Sequence, residues 1–492
     1  MTQYPSTMTD PNRNAGRRQP AAALLLAAAG LALAGGCAVG PDYKRPAMDL
    51  PPAFKEDAGW REATPDDGAK RGPWWEVFDD PELNDLESQV ETSNQTVQEA
   101  LANYEQERQI VHSDRTGYLP TVSANGSGER TRSPSDLGTT PGHGLTSNSF
   151  TADLQGSWAP DIWGRLRRTV EADVATAQAS AADLALARLS MQATLATDYI
   201  GLRTSDDKIR LLEGAVSDYT RTLKITRNKY AVGVSARSDI ITAEAQLDST
   251  RAQLVDAGVQ RAVFEHAVAV LVGKAPSQLS IARRPAIGLT LPTIPPQLAS
   301  TLLERRPDVA AAERQVAAAN ARIGIQTAAY FPDLTISGSG GFEGPTLDKL
   351  ISAPYRFWTL GVDATDALLD WGQRHDLVLS ARAAYDASAA NYKETVLTAL
   401  QQVEDNLAGL RILRRESQIQ DQAVTEAAQA SQIALNEYNA GTVDFTTVAA
   451  AQVTELSNRE TALTIVQSQL NSSVALIQAL GGGWSASDLP HP

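Results

Sequence analysis

The residue best placed for covalent chemistry in this sequence is Cys37, the only thiol among 492 residues. A single cysteine forms no disulfide within its own chain. Arg17 and Arg18 lead into an apolar run from Ala21 to Ala34, and Gly35-Gly36 directly precede the thiol. A positive start, a short apolar segment and small residues before a cut describe a secretory signal. The run falls short of the ~20 residues a spanning helix needs. Cys37 is then either the lipid-bearing N-terminus left after removal of residues 1–36, or a buried thiol inside an uncleaved leader. Removal takes away three Arg and one Asp, so the net charge moves from −15 to −17.

No other cluster offers catalysis. The histidines at 112, 143, 266, 375 and 491 are scattered, with no His-Glu-x-x-His pair and no cysteine partner for zinc. Gly273-Lys274-Ala275 lacks the earlier glycine and the Ser or Thr of a phosphate loop. Ser337-Gly338-Ser339-Gly340-Gly341 has no matching histidine pattern and reads as strand or turn, not a nucleophile elbow. No cofactor is expected beyond a lipid on Cys37. The acidic balance argues against nucleic acid, whose phosphates require clustered Lys and Arg.

The elements that carry these residues come in two copies. Trp163-Gly164 recurs as Trp371-Gly372, Gly201-Leu202-Arg203 as Gly409-Leu410-Arg411, and Tyr230-x-x-Gly233 as Tyr438-x-x-Gly441, each 208 positions on (371 − 163). Upstream, Tyr118-Leu119-Pro120 recurs as Tyr330-Phe331-Pro332, 212 positions on (330 − 118). So long a period marks a duplicated structural unit rather than a short solenoid repeat.

Residues 38–80 read as an extended arm pinned by Trp74-Trp75 and Phe78, after which Asp80-Pro81 opens a helix to about Thr116. Phe150 to Trp158 and Trp358 to Thr365 alternate apolar with polar, and pair with Thr121–Arg130 and Leu334–Phe342. That pattern fits membrane barrel strands of ~9–11 residues, apolar to lipid and polar to the lumen. A half-buried sheet in a soluble protein has the same period; the export signal and the duplication favour the barrel. No proline interrupts 161–275 or 355–489, so long helices are expected over 164–231 and 372–440. At ~1.5 Å per residue each is roughly 100 Å long. Gly233 and Gly441 end them with left-handed caps, and shorter helices return over 238–272 and 445–480. Half-length helices over 81–116 and 297–328 complete a layer roughly 100 Å tall. Four strands cannot close a barrel, and an open edge in lipid costs several kcal/mol per unpaired backbone group, roughly. The expected class is mainly α with a membrane β-barrel, closed by oligomerisation. Signal peptide 1–36, arm 37–80, repeat 81–296, repeat 297–483 and tail 484–492 are the expected segments.

Taken together, these motifs resemble the outer membrane factors of tripartite efflux pumps, in their lipoprotein branch. Leu33-Ala34-Gly35-Gly36-Cys37 is similar to a lipobox, with Ala34 where a larger aliphatic is usual. Cys37 to Pro46, Trp74-Trp75 through Asp80-Pro81-x-Leu83, the Tyr-x-Pro strand starts, Trp-Gly and Tyr-x-x-Gly also match, covering Cys37 to about Gly483. The resemblance implies a homotrimer whose strands close a twelve-stranded barrel in outer membrane lipid, continuing into an α-helical barrel across the periplasm. It also implies two partners, a periplasmic adaptor (membrane fusion protein) and an inner-membrane RND-type transporter. The adaptor would meet the tip at Gly233, Val234, Ser235, Gly441, Thr442 and Val443. Asp239, six residues after the first turn glycine, would bond Tyr438, three before the second, and so hold the gate. Positions that carry a ring of acids in the family are Thr447 and Ala450 here, beside Thr446, so the constriction would be uncharged. Helix capping alone also explains Asp239. Other readings are a type I secretion duct and a lipid-anchored structural coiled coil; the second leaves the four alternating strands unexplained.

Overall fold

The computed structural model describes residues 38–48, 54–57, 73–132, 134, 146–284, 287–292 and 305–490. The signal peptide and Cys37 lie outside the described residues. Eleven longer elements appear among them: α1 (Pro81–Ser93), α2 (Gln95–Thr116), β1 (Thr121–Arg132), β2 (Thr146–Trp158), α3 (Arg165–Ala231), α4 (Arg237–Leu271), α5 (Pro307–Ala328), β3 (Asp333–Gly344), β4 (Arg356–Thr365), α6 (Gln373–Ala440) and α7 (Phe445–Ala479).

The duplication is plain in their lengths. α3 and α6 run 67 and 68 residues, and α4 and α7 run 35 each. Each long helix starts on an aspartate that the sequence reading passed over. The Asp161 carboxylate accepts from the Leu166 and Arg167 amides at 2.9 and 3.0 Å. Asp370 does the same for Gly372 and Arg374 at 3.1 and 3.3 Å. Such carboxylates satisfy amides that a first helical turn leaves bare.

One expected helix is two. The run over 81–116 breaks at Asn94, whose backbone is extended at ψ 126. Its side chain accepts from the Thr96 and Val97 amides at 3.0 and 3.2 Å and donates to the Leu271 carbonyl at 2.9 Å. Asn94 therefore caps α2 and ties the break to the end of α4, which a periodicity argument cannot see. The expected start of the 297–328 helix falls partly outside the described residues; α5 begins at Pro307.

Two compact units make up the chain. One gathers residues 38–44, the strands and the adjoining helix ends. Its sheet is antiparallel in the order β1-β2-β3-β4, so hairpins β1–β2 and β3–β4 form as expected and β2–β3 joins the repeats. The register sorts side chains by polarity. Ala124, Leu154, Gly340 and Trp358 form one row across the sheet, and Val122, Gly156, Gly338 and Leu360 another. The intervening rows, such as Ser123, Gln155, Ser339 and Thr359, are polar. Among the described residues β1 and β4 are open edges. The arm is anchored in this unit by Arg168, which donates to the Val39 carbonyl at 3.2 Å and to Asp42 at 2.8 Å. Ala38 lies so near Gly164 that a Cβ there would sit 2.6 Å from its Cα.

The second unit holds the remaining helices. Trp74, Trp75 and Phe78 are buried against Leu83, Leu86, Val90 and α3 residues from Leu189 to Leu202, and edge-to-face ring contacts fix them. Beside this core a buried ion network fastens the stretch after α4. Arg203, fully buried, pairs with Glu82 and with Asp206 at 3.0 Å. Arg261 reaches Asp206 at 2.7 Å and Arg284 reaches Asp80 at 2.8 Å. Glu87 is the exception: fully buried, its two carboxyl oxygens have no partner, and burial pushes its pKa up to about 9.

Candidate channel entrance

The turns that end the long helices are built alike. Gly233 and Gly441 hold φ of +78 and +83, the left-handed region that costs most residues a Cβ clash. At the first, the Val234 amide reaches back to the Lys229 carbonyl and the Gly233 amide to that of Tyr230, each at 2.9 Å. At the second, Thr442 bonds the Glu437 carbonyl at 3.0 Å and Gly441 that of Tyr438 at 3.1 Å. Both are paired C-cap motifs that retire the last free carbonyls of a helix. Around each glycine a Cβ would meet nothing within 4 Å, so the turns project into open space. Val234 is 68% exposed, Thr442 is exposed and Val443 half-buried.

Beneath the turns the four hairpin helices share one core. Tyr219 and Leu223 of α3, Ala243 and Leu247 of α4, Ala434 and Tyr438 of α6, and Phe445 and Val448 of α7 are all buried there. Tyr438 packs edge-to-face on Phe445, ring centroids 5.6 Å apart.

The expected pairing of Asp239 with Tyr438 is indirect. Ser235 stands between them: its hydroxyl donates to Asp239 Oδ2 at 2.7 Å and lies 3.2 Å from the Tyr438 hydroxyl. The carboxylate also accepts from the Ala236 amide at 3.2 Å. Asp239 thus caps α4 and orients Ser235, which makes the link to the other repeat. Asp239 sits on the first turn of its own helix, aimed back along its axis, so a serine on the approach to that helix is needed to span the remaining distance. Tyr438 also reaches Thr226 Oγ1 at 3.4 Å.

A residue missed by the sequence reading completes the clamp. Lys229 Nζ lies 4.2 Å above the Tyr438 ring and donates to the Tyr438 carbonyl. A cation over an aromatic face, at the carbonyl end of a helix, is favourable on both counts. The available signal was repeat divergence: position 229 is Lys and its counterpart 437 is Glu.

Thr446, Thr447 and Ala450 are brought together on the exposed side of α7, opposite buried Phe445 and Val448. None bears a charge. The nearest carboxylates along the helix are exposed Asp444 and Glu455, which pairs with Arg459 at 2.6 Å.

A family model for outer membrane efflux proteins matches residues 86–274 and 298–482. The chain belongs to that family. This efflux protein is 28% identical over 469 residues to the solvent efflux pump outer membrane protein SrpC of Pseudomonas putida, covering 93% of this chain and 97% of that one. It is 27% identical over 454 residues to the antibiotic efflux pump outer membrane protein ArpC of the same species, covering 92% and 93%. Among solved structures, the outer-membrane channel OprN superposes with a TM-score of 0.85 at 27% identity, over 91% of this chain and 100% of that one. The open state of the Neisseria gonorrhoeae MtrE channel does so with a TM-score of 0.81 at 25% identity, over 92% and 99%. The efflux protein is accordingly an outer membrane exit duct, with a helical part in the periplasm.

Proposed function

We propose that three copies close one channel, anchored by a lipid on Cys37, that carries small toxic solutes outward from a periplasmic adaptor and an RND-type inner-membrane transporter. The observation that carries this reading is the four-stranded sheet. The central rows of one face are apolar and, among the described residues, both edges are unpaired, which in lipid requires other copies to satisfy the backbone. The placing of Ala38 against Gly164, at the junction of sheet and helix, supports a lipid on the preceding residue at the membrane surface. In this reading Gly233, Val234, Ser235, Gly441, Thr442 and Val443 are the tip that the adaptor touches. The Lys229–Tyr438–Ser235–Asp239 clamp holds the entrance shut, and Thr446, Thr447 and Ala450 line an uncharged constriction.

Relatives named for solvent, toluene and antibiotic efflux support small, largely apolar toxicants as cargo. An uncharged entrance imposes no charge filter on them. The mass of the detergent-solubilised particle tests the assembly: three chains are expected, and a stable monomer with full β content overturns it. A deletion strain should become sensitive to solvents and hydrophobic antibiotics, and unchanged tolerance across such a panel overturns the cargo assignment.

A further inference from the structure

The duplication is satisfied unevenly within one chain. Trp163, after the second strand of repeat 1, stacks on Phe331, before the first strand of repeat 2. Their ring centroids are 4.7 Å apart and the planes 19° from parallel. The Trp163 indole N–H donates to the Pro332 carbonyl at 2.9 Å. Under the two repeat offsets the counterparts of these residues are Trp371, Leu119 and Pro120. Their exposure argues against the same contact inside one chain: Trp371 is 94% exposed and Leu119 66%. Trp371 also holds a left-handed φ of +55, a region a bulky residue rarely takes, while its own chain covers almost none of the ring.

The sheet explains the asymmetry. Each tryptophan follows the second strand of a hairpin, and Trp163 seats on the residues that lead into the next hairpin. Trp163 finds that hairpin in its own chain because β2 pairs with β3. Trp371 follows β4, an edge strand, so its next hairpin belongs to another molecule. The repeats are equivalent in register as well as in sequence. Shifting the pair Thr121↔Ser157 by the two offsets gives Asp333↔Thr365, the pair observed in the second hairpin. The contact surface missing from the chain is therefore specified by one already present in it.

We propose that Trp371 of one copy docks on Leu119 and Pro120 of the next, its indole N–H donating to the Pro120 carbonyl. This repeats between copies the contact that Trp163 makes within one. The proposal rests on the trimeric channel and names the residues that join one copy to the next. The same offsets carry the observed pair Leu154↔Gly340 to Val362 of β4 opposite Gly128 of the neighbouring β1, which keeps both on the apolar face.

The test uses the full-length, membrane-extracted protein with Leu119→Cys and Trp371→Cys together, treated with a short bismaleimide. Covalent dimers and trimers are expected on denaturing gels, with none from the parent or either single variant. Trp163→Cys with Phe331→Cys should cross-link without a change in chain number. An amine-reactive cross-linker applied to the same samples separates the two ways of failing. Trimers by amine chemistry without thiol-linked chains overturn the docking and leave Trp371 facing lipid or solvent. No trimers by either chemistry overturn the assembly and the docking with it. Should the double variant fold poorly, Trp371→Ala alone must lower the temperature at which detergent-resistant trimers dissociate; an unchanged temperature counts against the contact.

Discussion

Replacing Tyr438 by Phe removes one oxygen from the clamp and leaves its packing on Phe445 and the Lys229 contacts in place. The lost bond to Ser235, 3.2 Å and between neutral groups, is worth about 1 kcal/mol, and the contact to Thr226 lost with it, at 3.4 Å, is long and adds little. The Ser235–Asp239 bond at 2.7 Å is charge-assisted and stronger, about 1.5–3 kcal/mol, but it lies within one turn and does not join the repeats. If three copies open together, the shift is about 3 kcal/mol, on the order of a hundredfold in the open-to-closed ratio. Tyr438→Phe should therefore raise single-channel conductance or open probability in planar bilayers without lowering thermal stability appreciably. Ser235→Ala should do the same, since it breaks the same link, and the double variant should add little beyond either. Asp239→Ala should act more weakly on the gate, because Ser235 keeps its hydroxyl for Tyr438. A silent Ser235→Ala beside an active Tyr438→Phe refutes the relay, and silence of both refutes the clamp.

Cys37→Ser should abolish acyl labelling of the mature protein in cells; persistent label would place the lipid elsewhere. Gly233→Val and Gly441→Val force a β-branched residue into left-handed backbone at about 1–2 kcal/mol; the open surroundings leave the fold and membrane insertion intact. Chemical cross-linking to the adaptor should fall in both, and full cross-linking would remove the tip from the docking site. With Thr446, Thr447 and Ala450 uncharged, trivalent cations added on the periplasmic side should block weakly, and strong block would point to Asp444 or Glu455. Glu87, raised to about 9 by burial, keeps its proton in the folded state while the unfolded chain releases it near the ordinary glutamate value of 4.5. Its contribution is therefore complete below about 4.5 and declines as pH rises towards about 9, by at most about 6 kcal/mol. Glu87→Gln should flatten that part of the melting-temperature profile, and an unchanged slope between pH 5 and 9 would falsify the assignment.

Much of the fold was legible because its signals are local and occur twice. The long helices end where Tyr-x-x-Gly places a left-handed residue, and the return helices lie within a residue of expectation. Strand alternation gave the right faces because period 2 is a property of the pleat and needs no partner. The break at Asn94 was hidden because an asparagine inside a polar stretch becomes a cap only when a neighbour, here the Leu271 carbonyl, holds it there. The clamp was half legible. Asp239 and Tyr438 were implied by the family resemblance, whereas Ser235 and Lys229 depend on how two helix ends meet, and no local pattern encodes that.

The sequence by itself determined the duplication, the lengths of the helices, the polarity of the strand faces and the glycines that turn the chain. These follow from backbone sterics and from hydrophobic period, both of which act over a few residues. Only the tertiary structure decided which copy of each repeated residue is used. Tyr230 and Tyr438 occupy the same place in their repeats, yet Tyr230 is 46% exposed and Tyr438 4%. Trp163 is stacked while Trp371 is bare. In the proposed ring, two equivalent units of one chain cannot each have the other as the next neighbour. One face closes within the chain, and its counterpart is left bare.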